Sequence, residues 1–392
     1  MRGTDQGVPS ATGAADVFLI VDQQLPSPDR DSGSLRLSRL IGELARLGPR
    51  VLFFPLNGRA EPRYKAVLGD LGAAVLADRR GQERFLREQG HRIGHALLCR
   101  PHPALELLGG IRDHAPDCLV VYDTVDVHFR RLGRQAGLAE ERGRADRFKL
   151  RAQAETMRAL ELFLVGESDL TLVVSEDERD LLTSLVPGTD VRVLSNIHVP
   201  VAAPARPRNG ARVLFVGHYR HTPNVDAAQW LAREIMPLVR REVPEAVLDL
   251  VGSSAPESVT GLAGGGVTVH GWVEDLAPVY ARARVAVAPL RYGAGVKGKV
   301  GEAVEHDVPV VGTPVAFEGM GLEHDRHVLI GESPAELAAA VVRLLTDDAL
   351  HTRLTRAATE RVSARFSPER ASAVLRDVLS VGRGSVACEA SP

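Results

Sequence analysis

The sequence predicts an α/β protein built as two Rossmann-like domains of similar size. Three observations predict it. Short β-branched runs alternate with longer segments of helical period, the pattern of βαβ units around a parallel sheet. The alternation breaks once, at a proline-rich stretch, and then restarts. Finally, 392 residues are too many for one ordinary hydrophobic core and suit two.

In chain order, the start (1–15) is rich in Gly, Ser, Thr and Ala, lacks the apolar segment of a signal peptide, and reads as a disordered leader. The first domain, 16–200, carries strand candidates at Val17–Asp22, Arg50–Pro55, Ala73–Leu76, His95–Cys99, Cys118–Asp123, Leu170–Val174 and Val191–Leu194. Helical patterns lie between several of them. In Leu35–Leu47, Leu37, Leu40, Ile41, Leu44 and Leu47 recur every three or four residues and form one apolar stripe. The stretch from His198 to Gly210 has three prolines, and 201–210 reads as the linker.

The second domain, 211–365, restarts the alternation with strands at Arg212–Val216, Val247–Leu250, Val267–His270, Val285–Ala288, Val308–Gly312 and His327–Ile330. Val225, Ala228, Leu231, Ile235 and Leu238 mark one face of a single helix over Asn224–Val243. From Pro334 to about Val381 the period is helical throughout. A last helix (366–382) is expected to cross back onto the first domain, and 383–392 to be a disordered tail.

The formal net charge of −2 excludes an overall basic footprint for nucleic acid. Cys99, Cys118 and Cys388 form no CxxC pair, which argues against structural zinc and a disulfide scaffold. The longest apolar runs are strand-sized, well short of the ~20 residues that span a bilayer. A cytoplasmic protein is expected, with peripheral membrane contact left open.

The most informative segment runs from Val285 to Ala303. A buried strand enters a glycine-rich turn (Gly293, Ala294, Gly295, Val296), followed by a helix carrying Lys297, Lys299 and Glu302. Glycines let backbone approach a ligand closely, and free N–H groups at a helix start suit an anion. Two lysines neutralise a diphosphate without a metal, and Glu302, on the same helix face as Lys299, suits ribose hydroxyls. Gly293-x-Gly295-x-x-Gly298 also fits the dinucleotide fingerprint, with Glu318 twenty residues beyond Gly298. Its place late in the domain argues against that reading, since the fingerprint belongs to the first βα turn. A solvated lysine pair on a surface helix is the plainer alternative.

Four motifs in order carry a resemblance: Phe215–Asp226, Gly271–Leu276, Ala288–Lys299 and Glu318–Met320. They resemble the retaining GT-B glycosyltransferases of carbohydrate-active family four. In the first half, Leu25–Ser34 and Tyr122–His128 look like that family's acceptor-side loop and histidine-bearing loop, so the similarity covers roughly 16–380. The resemblance implies two domains facing a cleft and sugar transfer from a nucleotide-sugar donor, with the nucleotide-sugar a substrate rather than a cofactor.

It further implies that Glu302 holds the donor ribose, His128 contacts the donor sugar, and Arg220 belongs to the phosphate-binding pair whose lysine is missing near Asn224. The leading catalytic candidates are therefore His128, Lys299 and Arg220. Gly33 and Ser34 approach the phosphates, Gly217 and Glu318 complete the donor side, and Asp29, Asp31, Ser32 and Asp126 fall on the acceptor side. Ala294 stands where the family places the first glutamate of its paired-glutamate motif.

Each candidate has a plainer role beside it. Ser32 or Ser34 suits the N-cap of the next helix, Asp126 a cap or a support for His128, and Glu318-Gly-Met320 a tight turn. Ser175 and Asn196 read as cap and hinge residues. The family's transfer is metal-independent, and Asp123 and Asp126 lack the spacing of a metal pair. The basic stretch within Phe129–Arg147 reads as an acceptor loop, a membrane contact or a solvated face. A secondary metabolite and an envelope lipid or polysaccharide are both open as acceptors. An epimerase or hydrolase on the same scaffold, or a degenerate nucleotide-sugar-binding protein, are the alternatives of other classes.

Overall fold

The computed structural model describes residues 16–201 and 210–381. The leader, most of the linker and the tail lie outside them. The first domain holds seven strands: β1 (Val17–Asp22), β2 (Arg50–Pro55), β3 (Ala73–Val75), β4 (Ile93–Cys99), β5 (Leu119–Asp123), β6 (Leu170–Val173) and β7 (Val191–Val193). They form one sheet in the order β3-β2-β1-β4-β5-β6-β7, with every pair parallel.

Six further strands, β8 (Arg212–Val216), β9 (Val247–Val251), β10 (Val267–Gly271), β11 (Val285–Ala288), β12 (Val310–Gly312) and β13 (Leu329–Ile330), make the second sheet. Its order is β10-β9-β8-β11-β12-β13, again all parallel. In each sheet the order reverses once, beside β1 and β4 in the first and beside β8 and β11 in the second. Such a switch opens a crevice at the carboxyl ends of the strands.

A parallel sheet covered by helices on both faces buries both sides of every strand. All six residues of β1 are buried accordingly. Val17, Leu19 and Val21 join the core on one face, whereas Phe18 and Ile20 join the core on the other. The amphipathic stripe of the first helix, Ser32–Leu47, packs Leu37, Leu40, Ile41 and Leu44 into that second core.

The helix expected over Asn224–Val243 is interrupted. It runs from Thr222 to Trp230, widens to one π-turn at Leu231–Ile235, and resumes at Met236–Glu242. Pro237 has no N–H to donate, and a wide turn just before it accommodates the missing bond. The chain ends in Pro334–Thr346, Asp348–Arg365 and Pro368–Ser380. The last of these places Ala371, Leu375 and Val378 in the first domain's core, and Ser372 Oγ donates to Glu43 Oε2 at 2.7 Å.

The two domains also meet through a buried ionic joint beside the linker. Glu305 Oε1 lies 2.8 Å from His198 Nδ1 and accepts from Arg39 Nη1 at 2.6 Å and the Val199 N–H at 2.9 Å. These partners hold the Glu305 carboxyl down to about 2.

Candidate active site

One cleft separates the domains, and its walls are the loops that leave the strands at both switch points. From the first domain come Asp29–Gly33 after β1, Arg100 after β4, and Val125, Asp126 and Arg131 after β5. From the second come Gly217, His218 and His221 after β8, Gly252 and Ser253 after β9, Trp272 and Val273 after β10, and Tyr292–Lys299 with Glu302 after β11.

The two lysines of the glycine-rich segment sit in different settings. Lys297 turns back onto its own loop, and its Nζ donates to the carbonyls of Ala294 at 3.0 Å and Gly295 at 2.5 Å. Lys299 faces the strand-end loop of β8. Its Nζ donates to Asn224 Oδ1 at 2.5 Å and lies 4.5 Å from the centre of the Phe215 ring. The Asn224 amide is itself fixed, because its Nδ2 donates to the His218 carbonyl at 2.8 Å. Among the described residues no carboxylate bonds Lys299, and burial pushes its ammonium down to about 7, with Lys297 adding repulsion. Burial pushes Lys297 down to about 8. Glu302 Oε2 accepts from Tyr280 Oη at 3.3 Å, and burial and Glu305 raise the Glu302 carboxyl to about 7.

The glycines of this segment fit the opposite domain closely. A Cβ on Gly298 would stand 2.3 Å from Ser32 Cβ. Gly295 has φ +69, and a Cβ there would stand 3.0 Å from Asp126 Cβ. The spacing read from sequence as ligand approach therefore also records domain approach.

Residues 210–347 match the family described as "Glycosyl transferases group 1". The whole structure resembles HepE of Anabaena, solved in complex with UDP-glucose, at a TM-score of 0.70 and 14% identity, over 93% of this chain and 99% of that one. Sucrose-phosphate synthase of Thermosynechococcus elongatus gives a TM-score of 0.67 at 19% identity, over 93% and 98% of the two chains. The chain has the GT-B glycosyltransferase fold. In sequence, glycogen synthase of Mycobacterium tuberculosis is 27% identical over 329 residues, 74% of this chain and 75% of that protein. The "44.6 kDa protein in cps region" of Klebsiella pneumoniae is 24% identical over 158 residues, 37% of this chain, which spans 41% of that relative's length.

The GT-B cleft brings together most, though not all, of the residues expected there. Asp29, Asp31, Ser32, Gly33, Asp126, Gly217, Gly293, Ala294, Gly295, Val296, Lys297, Lys299 and Glu302 all line it. Four do not. Arg220 is exposed and outside the lining. Ser34 is buried within the first helix turn, where its N–H and Oγ both donate to Asp31 at 2.8 Å. Asp31, rather than either serine, is thus the N-cap.

Glu318 is held between the domains by Arg130 and Arg134, with contacts of 2.6 to 2.7 Å, and contributes nothing to the lining. His128 also lies outside the lining. Its Nδ1 is 2.9 Å from the Asp126 carbonyl and 3.5 Å from Glu161, so it braces the Asp126 turn. The stretch expected as a loop over Phe129–Arg147 is mostly helix, His128–Glu141; Arg130, Arg134 and Arg142 reach the second domain, Arg131 bonds Asp126, and Arg144 pairs locally with Asp146 at the surface. Among the later strand ends, Ser175 is the N-cap of Glu176–Leu185, and Asn196 Nδ2 donates to the Val296 carbonyl at 3.3 Å.

Sequence reasoning missed Arg100, His218, His221 and Trp272, and held Arg131 only as part of a basic stretch. Trp272, like His218 and His221, lies inside one of the four motifs, and its Nε1 donates across the cleft to the Asp29 carbonyl at 3.2 Å. His218 Nδ1 lies 2.6 Å from Ser253 Oγ, and burial pushes the His221 imidazole down to about 4, keeping it neutral. Among the described residues no helix is long and apolar enough to cross a membrane, and no cluster of His, Cys, Asp and Glu could hold a metal ion.

Proposed function

We propose that this chain transfers a sugar, with retention of configuration and without a metal ion, from a nucleotide-sugar donor to a hydroxyl group of a small-molecule or envelope-glycan acceptor. The observation that carries the reading is Lys299, a half-buried ammonium whose only contacting partners among the described residues are a neutral amide oxygen and an aromatic face. A buried cation without a counter-ion is costly, and an anion completes it. A diphosphate set between Lys299 and the first turn of the Gly298–Glu305 helix supplies that charge. Glu302, with Oε1 unbonded among the described residues, then accepts from the ribose hydroxyls.

The chemistry follows from that placement. As the bond between anomeric carbon and phosphate oxygen breaks, negative charge grows on the diphosphate, and Lys299 is preorganised to stabilise it. The acceptor oxygen attacks from the face the diphosphate leaves, and its proton passes to the departing phosphate oxygen. No enzyme nucleophile is needed, which accords with Ala294 at the first position of the glutamate pair. Lys297, bonded to the carbonyls of its own loop, shapes the Gly293–Val296 turn around the sugar.

A thermal-shift screen with UDP, GDP, ADP and dTDP tests the donor site. At least one nucleotide should raise the melting temperature of the wild type, because it binds only the folded state. The same nucleotide should lose most of its shift with Lys299→Ala. Absence of any shift with all four nucleotides would sink the assignment.

A further inference from the structure

The first-domain wall of the cleft carries two arginines with a shared, unusual arrangement. Arg100 follows β4 directly and holds a left-handed backbone, φ +73, a conformation unfavourable for a residue with a Cβ. Its Nε donates to Asp22 Oδ1 at 3.1 Å, at the end of β1, while Nη1 and Nη2 have no hydrogen-bond partner among the described residues. Nη2 hangs over Gly33, where an added Cβ would meet it at 3.1 Å. Arg131 repeats the pattern. Its Nε donates to Asp126 Oδ2 at 2.8 Å, and its terminal nitrogens have no bonded partner among the described residues. Both side chains line the cleft.

The acidic groups beside them are already engaged. Asp31 accepts from Ser34 through both oxygens, and Asp126 is bonded by Arg131 with His128 at 3.5 Å on its other oxygen. The Arg100 and Arg131 guanidinium groups are near enough to repel each other, and the Asp126 carboxylate, which acts on both, bonds only the Nε edge of Arg131. Two braced guanidiniums that turn their free edges into one cleft are suited to an oxyanion with several acceptor oxygens. The donor's own diphosphate is assigned to Lys299 on the opposite domain.

We infer that the acceptor is anionic: a hydroxylated molecule bearing a phosphate group, which Arg100 and Arg131 hold while its hydroxyl attacks the donor. The inference rests on the glycosyl-transfer reading and names its acceptor class. In the transfer itself the phosphate is a handle only. The acceptor hydroxyl forms the new bond to the anomeric carbon, its proton goes to the leaving diphosphate, and the handle is unchanged. The same chemistry is met in a free sugar phosphate and in a phospholipid headgroup.

The test is calorimetric titration of the full chain, saturated with whichever nucleoside diphosphate it binds. Inorganic phosphate and glycerol 3-phosphate are the free probes, and vesicles containing phosphatidylglycerol, followed by co-sedimentation, are the membrane probe. Saturable binding of a phosphate probe is expected, weakened tenfold or more by Arg100→Gln and by Arg131→Gln, while nucleotide affinity changes less than about threefold. Because Arg100→Gln strands the buried Asp22, Arg131→Gln is the independent variant, and retained nucleotide binding checks that each is folded. Binding of free probes alone assigns a soluble phosphate, whereas vesicle binding lost in both variants assigns a headgroup. No binding of any probe, binding insensitive to both substitutions, or a tenfold loss of nucleotide affinity instead would each overturn the inference. Were no nucleotide to bind, the donor reading would fail separately, and the same titration of the free protein would still decide this one.

Discussion

Lys299→Met separates activity from stability in opposite directions. The methionine keeps the length and apolar stem of the side chain and deletes only the charge. A unit charge about 4 Å from a diphosphate oxygen is worth ~4 kcal/mol at an effective dielectric of ~20. Losing one preorganised donor to a developing oxyanion costs ~2.7–4 kcal/mol. The expected loss in kcat/KM is therefore on the order of 10²–10³-fold. Stability moves the other way. The folded ammonium titrates near 7 against the ordinary 10.5 of a lysine. The folded state thus disfavours the charged form, so the penalty is full below pH 7 and fades as pH rises from 7 towards 10.5. At about 1.4 kcal/mol per pH unit this bounds the gain at ~5 kcal/mol, and the lost bond to Asn224 brings it to ~2–4 kcal/mol. Donor-consumption kinetics and urea unfolding at pH 6 and pH 10 measure both effects. A rate loss below tenfold, or a less stable variant at pH 6, would refute the reasoning.

Three further substitutions probe the ribose contact, the domain contact and the joint. Glu302→Gln should weaken nucleoside diphosphate binding by roughly tenfold, and the loss should vanish for a 2′,3′-dideoxy nucleotide in the same titration; equal losses for both would remove the ribose role. Gly298→Ala places a methyl group where Ser32 Cβ already stands at 2.3 Å, so turnover should fall sharply with little change in melting temperature. Adding Ser32→Gly should restore turnover if crowding is the cause, and failure of that rescue would locate the effect elsewhere. Glu305 titrates near 2 when folded against 4.5, so its contribution is fully present above pH 4.5 and disappears as pH falls through 2. Glu305→Gln should cost ~3 kcal/mol in urea unfolding at pH 7 and far less at pH 3, and a pH-independent difference would count against the ionic joint.

How much of this was legible depended on whether a function is written in adjacent residues. Strands such as β1, β2, β8 and β11 sit where their β-branched runs end, because a buried parallel strand must be apolar on both faces. Gly293 to Glu302 is legible for a similar reason: loop, helix start and side chains all fall within ten residues of one chain segment. Glu318 shows the limit of spacing. Its distance from Gly298 fits a ribose-binding carboxylate, yet two arginines from the other domain, 184 and 188 residues away in sequence, have claimed it. Arg220 shows the same limit: its place in the motif fits the phosphate site, yet it is exposed and outside the cleft lining. Arg131 lies in the basic stretch that reads locally as an acceptor loop, a membrane contact or a solvated face, whereas Arg100 had no local signal at all. Arg100 follows an unremarkable Leu-Leu-Cys run, and its counter-ion Asp22 is 78 residues away. The only pointer to it is topological: β1 and β4 are neighbours across the switch point, so whatever follows each of them must meet in the cleft. Had the strand order been inferred from the alternation first, the residues immediately after β1, β4, β5, β8 and β11 would have been the candidates. That rule selects Arg100 and demotes Glu318, which follows a four-residue helix rather than a strand end.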